Sequence, residues 1–205
     1  MAALVSVSAT LGAQKMSEPV REAMDACIAM REAIGSGSTP GISAALEMMK
    51  NCDAEPFPLL KGINIESFDV TGHFVFTPQF AKALLDGRDV YAYSRRYARI
   101  GNNPRGSGRK GVVYMATFGA AAGTSAKYSL RADDQQDIAV VTEPLGMITL
   151  RVYDSTHDKW YNDDSDAVNG KPYRHVSFNL KEPSNLVIEV INTSGRDISF
   201  VIIGN

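Results

Sequence analysis

Leu186-Val187-Ile188-Glu189-Val190-Ile191-Asn192, then Thr193-Ser194-Gly195, then Ser199-Phe200-Val201-Ile202-Ile203, is written as strand, turn and strand. Two runs rich in β-branched and aromatic residues flank a cluster of Asn, Thr, Ser and Gly. Working back from it, the same rhythm recurs at Arg174 to Leu180, Met147 to Tyr153, Asp137 to Thr142, Lys127 to Arg131 and Gly111 to Phe118. Glu143-Pro144-Leu145-Gly146 is a turn with proline in its second place, and Gly119 to Ser125 is a small-residue turn. From Ile63 onward the side chains recur in twos: Phe68, Val70, Phe74 and Phe76 are expected on one face. Tyr91, Tyr93 and Tyr97 alternate across Val90 to Ile100, which predicts a further strand despite Arg95 and Arg96. Strands dominate and no βαβ rhythm is visible, so a parallel nucleotide-binding sheet is excluded. The expectation is a mainly β fold, an antiparallel β-sandwich or jelly roll spanning 63–205.

Before that block the period is helical. Ser17-Glu18-Pro19 reads as a capping hydroxyl followed by proline in the first turn. Val20, Met24, Cys27, Ile28 and Arg31 share one face of a helix that should stop at Gly35. Thr39-Pro40 restarts a helix by the same device, with Ile42, Ala45, Leu46 and Met49 as its stripe. The short Gly35-Ser36-Gly37-Ser38 connection makes these an antiparallel helical hairpin, residues 17–53. Thr77-Pro78 caps one more helix, Gln79 to Asp86, ended by Gly87. Cys27 and Cys52 are the only cysteines and fall at comparable heights in the hairpin. They form either a disulfide or two buried thiols in the seam. They lack the paired ligands of a zinc site.

Residues 1–14 are apolar or small from Ala2 to Ala13, with no charge. This resembles the apolar core and cleavage zone of a secretory signal peptide, lacking its basic start, and places the mature protein in the periplasm or outside the cell. The chain of 205 residues carries 21 Lys and Arg against 23 Asp and Glu, a net charge of −2. That balance argues against a globally basic nucleic-acid binder. Hydrophobic residues make up 44%, too many for disorder, yet no apolar run is long enough to span a membrane.

Strand by strand, Lys127-Tyr128-Ser129-Leu130, Ile138-Ala139-Val140-Val141, Ile148 to Asp154, Val176-Ser177-Phe178-Asn179-Leu180 and the two closing runs resemble the β-sandwich domains appended to secreted bacterial proteins, notably the pre-peptidase C-terminal type. The resemblance covers roughly residues 110–205. It implies a non-catalytic domain that assists secretion or binds surfaces, glycans or partner domains. The family usually hangs off a protease, and none fits in the remaining sequence, so the resemblance implies a fold more than a task.

Two constellations can carry chemistry. The segment 154–166 holds five carboxylates in thirteen residues, Asp154, Asp158, Asp163, Asp164 and Asp166, which can supply hard oxygen ligands to calcium but miss the EF-hand pattern. Asp-rich loops also simply make solvated turns. Trp160 and Tyr161 beside those carboxylates suit sugar recognition; the alternative is that Trp160, the only tryptophan, packs the edge of the core. The second constellation is basic: Arg88, Arg95, Arg96, Arg99, Arg105, Arg109 and Lys110, with tyrosines interleaved. Arginine forks there suit an anionic glycan or a lipid head group; the alternative is a solvated hairpin loop. A basic and an acidic surface can also pair with a partner protein or between copies, giving a homo-oligomer.

Motifs for enzymatic chemistry are scarce. Gly-x-Ser-x-Gly and His-Glu-x-x-His are absent, and Gly119 to Ser125 lacks the lysine of a phosphate loop. The leading reading is an exported, non-catalytic binding or assembly protein of the bacterial envelope, with no cofactor beyond calcium. The competing reading is a small metal-assisted hydrolase built on His157, Asp158 and residues 163–166, which requires His157 and at least two carboxylates to converge in one concave pocket.

Overall fold

Ser17-Glu18-Pro19 does start the first helix, α1 (Glu18–Gly35), but not by side-chain capping. The Ser17 hydroxyl is unpartnered, and its N–H instead donates to Asp137 Oδ2 at 2.9 Å. A buried carboxylate facing a helix N-terminus serves the same electrostatic purpose. α2 (Thr39–Asn51) is capped by Ser38, whose Oγ accepts from Gly41 N at 3.1 Å, so the cap lies one residue before the expected Thr39. Its buried stripe is Ile42, Ala45, Leu46 and Met49, as the spacing predicts. In α3 (Pro78–Leu85) the Thr77 hydroxyl accepts from Phe80 N, again as expected.

The computed structural model describes residues 16–52, 54–56, 61–63, 69–97, 112–162 and 170–205. The signal-like residues 1–14, together with Phe68, Arg99, Arg105, Arg109, Lys110, Asp163, Asp164 and Asp166, lie outside the described residues.

Among the described residues, ten strands form two sheets. They are β1 (Glu55–Pro56), β2 (Lys61–Ile63), β3 (Tyr114–Ala120), β4 (Ser125–Ala132), β5 (Gln135–Thr142), β6 (Ile148–Asp154), β7 (Lys159–Asn162), β8 (Tyr173–Asn179), β9 (Ser184–Asn192) and β10 (Ile198–Gly204). One sheet runs β1-β3-β10-β5-β8 and the other β2-β4-β9-β6-β7. All pairings are antiparallel except the short β1 against β3. The β-sandwich reading therefore holds.

The helices add a third layer. α1 lies across β5 and β10, and α2 packs on α1 and α3. β5 and β10, at the centre of the first sheet, are thus buried on both faces. Val201 and Ile203 join Met115, Ala139 and Val141 against the helices, while Phe200 and Ile202 point into the sandwich beside Tyr128, Leu150 and Ile188. This explains why every residue of β10 is buried, whereas β9, in the second sheet, alternates.

Two expected strands are not strands. Val70 to Phe76 is irregular: a turn at Thr71-Gly72 is followed by Phe74, Val75 and Phe76, all buried in succession. Tyr91–Tyr93 is a single 3-10 turn running into α4 (Ser94–Tyr97). Aromatic packing overrides the alternation here. Phe80 meets Phe74, Tyr91 and Tyr97 edge-on at 4.9, 5.6 and 5.8 Å, which an extended chain with its tyrosines alternating could not provide. The Ser94 hydroxyl closes the turn, within reach of Tyr91 O and His73 O.

Glu143 ties these parts together. Its carboxylate is buried at the end of β5. Oε2 accepts from Phe74 N at 3.0 Å and from the Ser199 hydroxyl at 3.2 Å; Oε1 lies 2.9 Å from His73 Nδ1 and 3.3 Å from Arg196 Nη2. Burial pushes this carboxyl up, but the His73 and Phe74 hydrogen bonds outweigh it and hold the group below the usual range. The turn that follows is the expected one, closed by Gly146 N to Glu143 O, with Leu145 at φ 68° and 72% exposed.

Of the two arrangements open to the cysteines, the structure has Cys27 and Cys52 as free thiols. Cys27 is fully buried in the helix seam, where burial pushes its thiol up. Cys52 sits at the C-cap of α2, and its Sγ turns back to Met48 O on its own helix.

Candidate functional site

The segment read as an Asp-rich loop is largely a hairpin. β6 runs through Asp154, residues 155–158 turn, and β7 returns with Trp160 opposite Tyr153 and Tyr161 opposite Val152. Because side chains alternate, Trp160 and Tyr161 part company. Tyr161 faces inward and stacks on Phe178, ring centroids 3.9 Å apart. Trp160 faces outward, 44% exposed, with its ring 4.8 Å from that of Tyr153. Of the two aromatics named from the sequence, Trp160 alone is presented as a binding surface.

Cross-strand register surrounds Trp160 with residues the sequence reading did not single out. The outward row on β6 is Thr149, Arg151 and Tyr153; on β9 it is Asn185, Val187, Glu189 and Ile191; on β4 it is Lys127, Ser129 and Arg131. The Arg151 guanidinium lies over the Trp160 ring at 4.5 Å and donates from Nε to Glu189 Oε2. Lys127 Nζ approaches Glu189 Oε1 at 3.4 Å. Burial pushes the Glu189 carboxyl up, but the Arg151 hydrogen bond and the Arg151 and Lys127 charges prevail and keep it ionised. The alternation of Leu150, Arg151, Val152 and Tyr153 was visible in the sequence; which neighbours lie across the strand was not.

The hairpin tip is held by His157. Its Nδ1 lies 2.7 Å from Asp154 Oδ2 and 3.3 Å from the Ser184 hydroxyl, and its Nε2 lies 2.8 Å from Glu182 Oε1. Asp154 is buried and also accepts from Thr156 N and His157 N. Both nitrogens facing carboxylates favour the doubly protonated ring: the Glu182 and Asp154 hydrogen bonds raise the His157 pKa above its ordinary value. Asp154 is pushed up by burial, yet the His157 and Thr156 hydrogen bonds bring it below its ordinary value. Both ring nitrogens are thus occupied by carboxylates. Asp158 receives the Tyr153 hydroxyl at 2.8 Å. Among the described residues no group of three His, Cys, Asp or Glu side chains converges as a metal site. Of the carboxylates named for the hydrolase and calcium readings, Asp154 meets His157 and Asp158 turns to Tyr153, while Asp163, Asp164 and Asp166 lie outside the described residues.

The latch has a signed pH dependence. The His157 contribution is complete below the ordinary histidine pKa and is lost as pH rises through its raised folded value. The Asp154 contribution is present above the ordinary carboxylate pKa and is lost as pH falls through its lowered folded value. Amide protection factors at residues 155–158, corrected for the intrinsic rise of exchange with pH, are expected to be highest between those limits and to fall on the alkaline side. In His157→Gln the alkaline step should vanish; its persistence would assign the step to another group.

Arg95 and Arg96 lie on α4, with Ala92 and Tyr93, around an open hollow of about 490 Å³; Arg96 stacks over Tyr93 at 4.8 Å. The structure does not bring these arginines together with Trp160 into one site.

No family model matches the sequence, and no curated protein matches it. Among solved structures, the chain is similar to the pre-peptidase C-terminal domain of collagenase from Bacillus anthracis, at a TM-score of 0.38 and 14% identity over 51% of this chain and all of that one. It is also similar to PliG, a periplasmic inhibitor of g-type lysozyme, from Salmonella Typhimurium, at a TM-score of 0.32 and 8% identity over 45% of this chain and 89% of that one. PliG from Aeromonas hydrophila gives 0.34 and 12% over 48% and 90%.

Proposed function

We propose that the protein is an exported, non-catalytic binding module of the bacterial envelope, and that its ligand surface is the outward face of the second sheet centred on Trp160. The carrying observation is the exposed Trp160 ring on a strand, flanked by Tyr153 and Arg151. A large aromatic left half in water on a rigid sheet offers apolar area at little entropic cost, and the polar neighbours supply orientation. The ligand class this suits is a glycan chain or envelope polymer, whose C–H faces stack on the ring. Export is supported by the apolar start of the sequence, residues 2–13.

The test uses Trp160 as its own reporter, since it is the only tryptophan. Titration with soluble glycans and envelope extracts is expected to shift its emission. Trp160→Ala should weaken retention on the same polymer by about tenfold, the equivalent of one good aromatic contact. Emission unmoved by every glycan, with Trp160→Ala retained like the wild type on any polymer, would refute the surface.

A further inference from the structure

We infer that the polymer recognised by this face is an anionic polysaccharide, selected by Arg151 with Lys127 and Arg131. This inference rests on the reading of the Trp160 face as the ligand surface. Along the outward rows of β4, β9, β6 and β7 the charged side chains are Lys127, Arg131 and Arg151 against Glu189 alone, a formal +2 on a chain whose net charge is −2. Asp158, at the margin beside Tyr153, lowers the local sum to +1 without reversing it.

The arrangement within the row matters more than the sum. Glu189 is only 3% exposed, and both its oxygens are engaged, one by Lys127 and one by Arg151. The one acidic group of the face is therefore covered and neutralised by its two cations, so it cannot accept the hydroxyls of a neutral sugar. Arg151 spends only Nε on that carboxylate. The bond fixes the guanidinium plane over Trp160, and the two terminal amino groups remain as a fork beside the stacking surface. Such a fork matches a carboxylate, sulfate or phosphate bidentately. Lys127 and Arg151 flank Glu189 from the strands on either side of it, their backbones about 10 Å apart at two strand spacings and their charged ends drawn together on its carboxylate. An extended polyanion laid across the strands meets the cations in succession while one ring stacks on Trp160.

The experiment is calorimetry of the full chain with a polyuronate, a neutral glucan of matched length and poly-glutamate. Polyuronate is expected to bind best, to weaken as ionic strength rises from about 0.05 to about 0.5 M, and to lose about tenfold in affinity in Arg151→Gln. Arg131→Gln, an exposed position whose loss leaves no buried partner, provides a second variant that keeps the fold and should also weaken polyuronate. Equal or better binding of the neutral glucan, unchanged in Arg151→Gln, overturns the inference and leaves the Trp160 surface standing. Poly-glutamate binding as tightly as polyuronate, with Trp160→Ala without effect, overturns it as unselective charge attraction. Silence toward all three polymers, with Trp160 emission unmoved, removes the underlying surface as well.

Discussion

Glu143→Ala is expected to destabilise the protein by about 3 kcal/mol, because it leaves the buried Phe74 N–H dry and strips a partner from the buried Ser199 hydroxyl, His73 and Arg196. Phe74 N has no other acceptor in its place. The Ser199 hydroxyl keeps its second contact to Phe74 O, which sets the loss nearer the middle of the range than the top. For a chain of 205 residues this corresponds to a fall in Tm of about 6–12 °C. Glu143→Gln, which keeps the shape and one acceptor but loses the attraction of His73 and Arg196, should cost roughly half as much. Because the carboxyl sits below its ordinary pKa when folded, its contribution is present above the ordinary carboxylate range and is lost as pH falls through the folded value. Chemical denaturation of the three proteins at neutral pH measures the effect. A loss under about 0.5 kcal/mol for the alanine variant would show that the node is dispensable.

Val201→Ala and Ile202→Ala are the second pair. They are neighbours on β10 whose side chains leave opposite faces of the sheet, yet both are expected to cost about 2–4 kcal/mol. In a plain two-layer sandwich one of the two would be nearly free. Here Val201 is packed under the helices and Ile202 between the sheets, each fully buried. Val187→Ala on β9, whose outward side chain is only half-buried, serves as the control and should cost under about 1 kcal/mol. A Val201→Ala loss as small as that of Val187→Ala would mean that the helical layer does not cover the sheet.

Much of this architecture was legible in the sequence. The stripe Ile42, Ala45, Leu46 and Met49 marked a helix, and the runs at 127, 137, 147, 174, 185 and 197 marked strands, because burial on a regular element leaves a period. What failed had no local cause. Tyr91, Tyr93 and Tyr97 alternate like strand residues, but the partners of Tyr91 and Tyr97 are on Phe80, a tertiary contact that overrides the pattern. Thr39 and Ser17 had the chemistry of caps, but the first lies one residue inside its helix and the second is replaced by Asp137, distant in sequence. The site was half legible. Trp160 was identified by its type and Tyr161 was grouped with it, since neighbours in a loop can point together. Only the β6–β7 pairing separates them, and only the register with β9 and β4 brings Arg151, Glu189 and Lys127 to the same place.

The strand order also bears on how the molecule is made. β10 sits between β3 and β5, and of the successive strands from β3 to β10 only β6 and β7 are partners in one sheet. β3 and β5 are therefore not joined into one sheet until residues 198–204 arrive, and loop closure over such separations is slow. A chain stopped short of β10 can complete the second sheet but leaves the two halves of the first unjoined. The first sheet, and the helical layer resting on it, are therefore the last parts of the molecule to be locked.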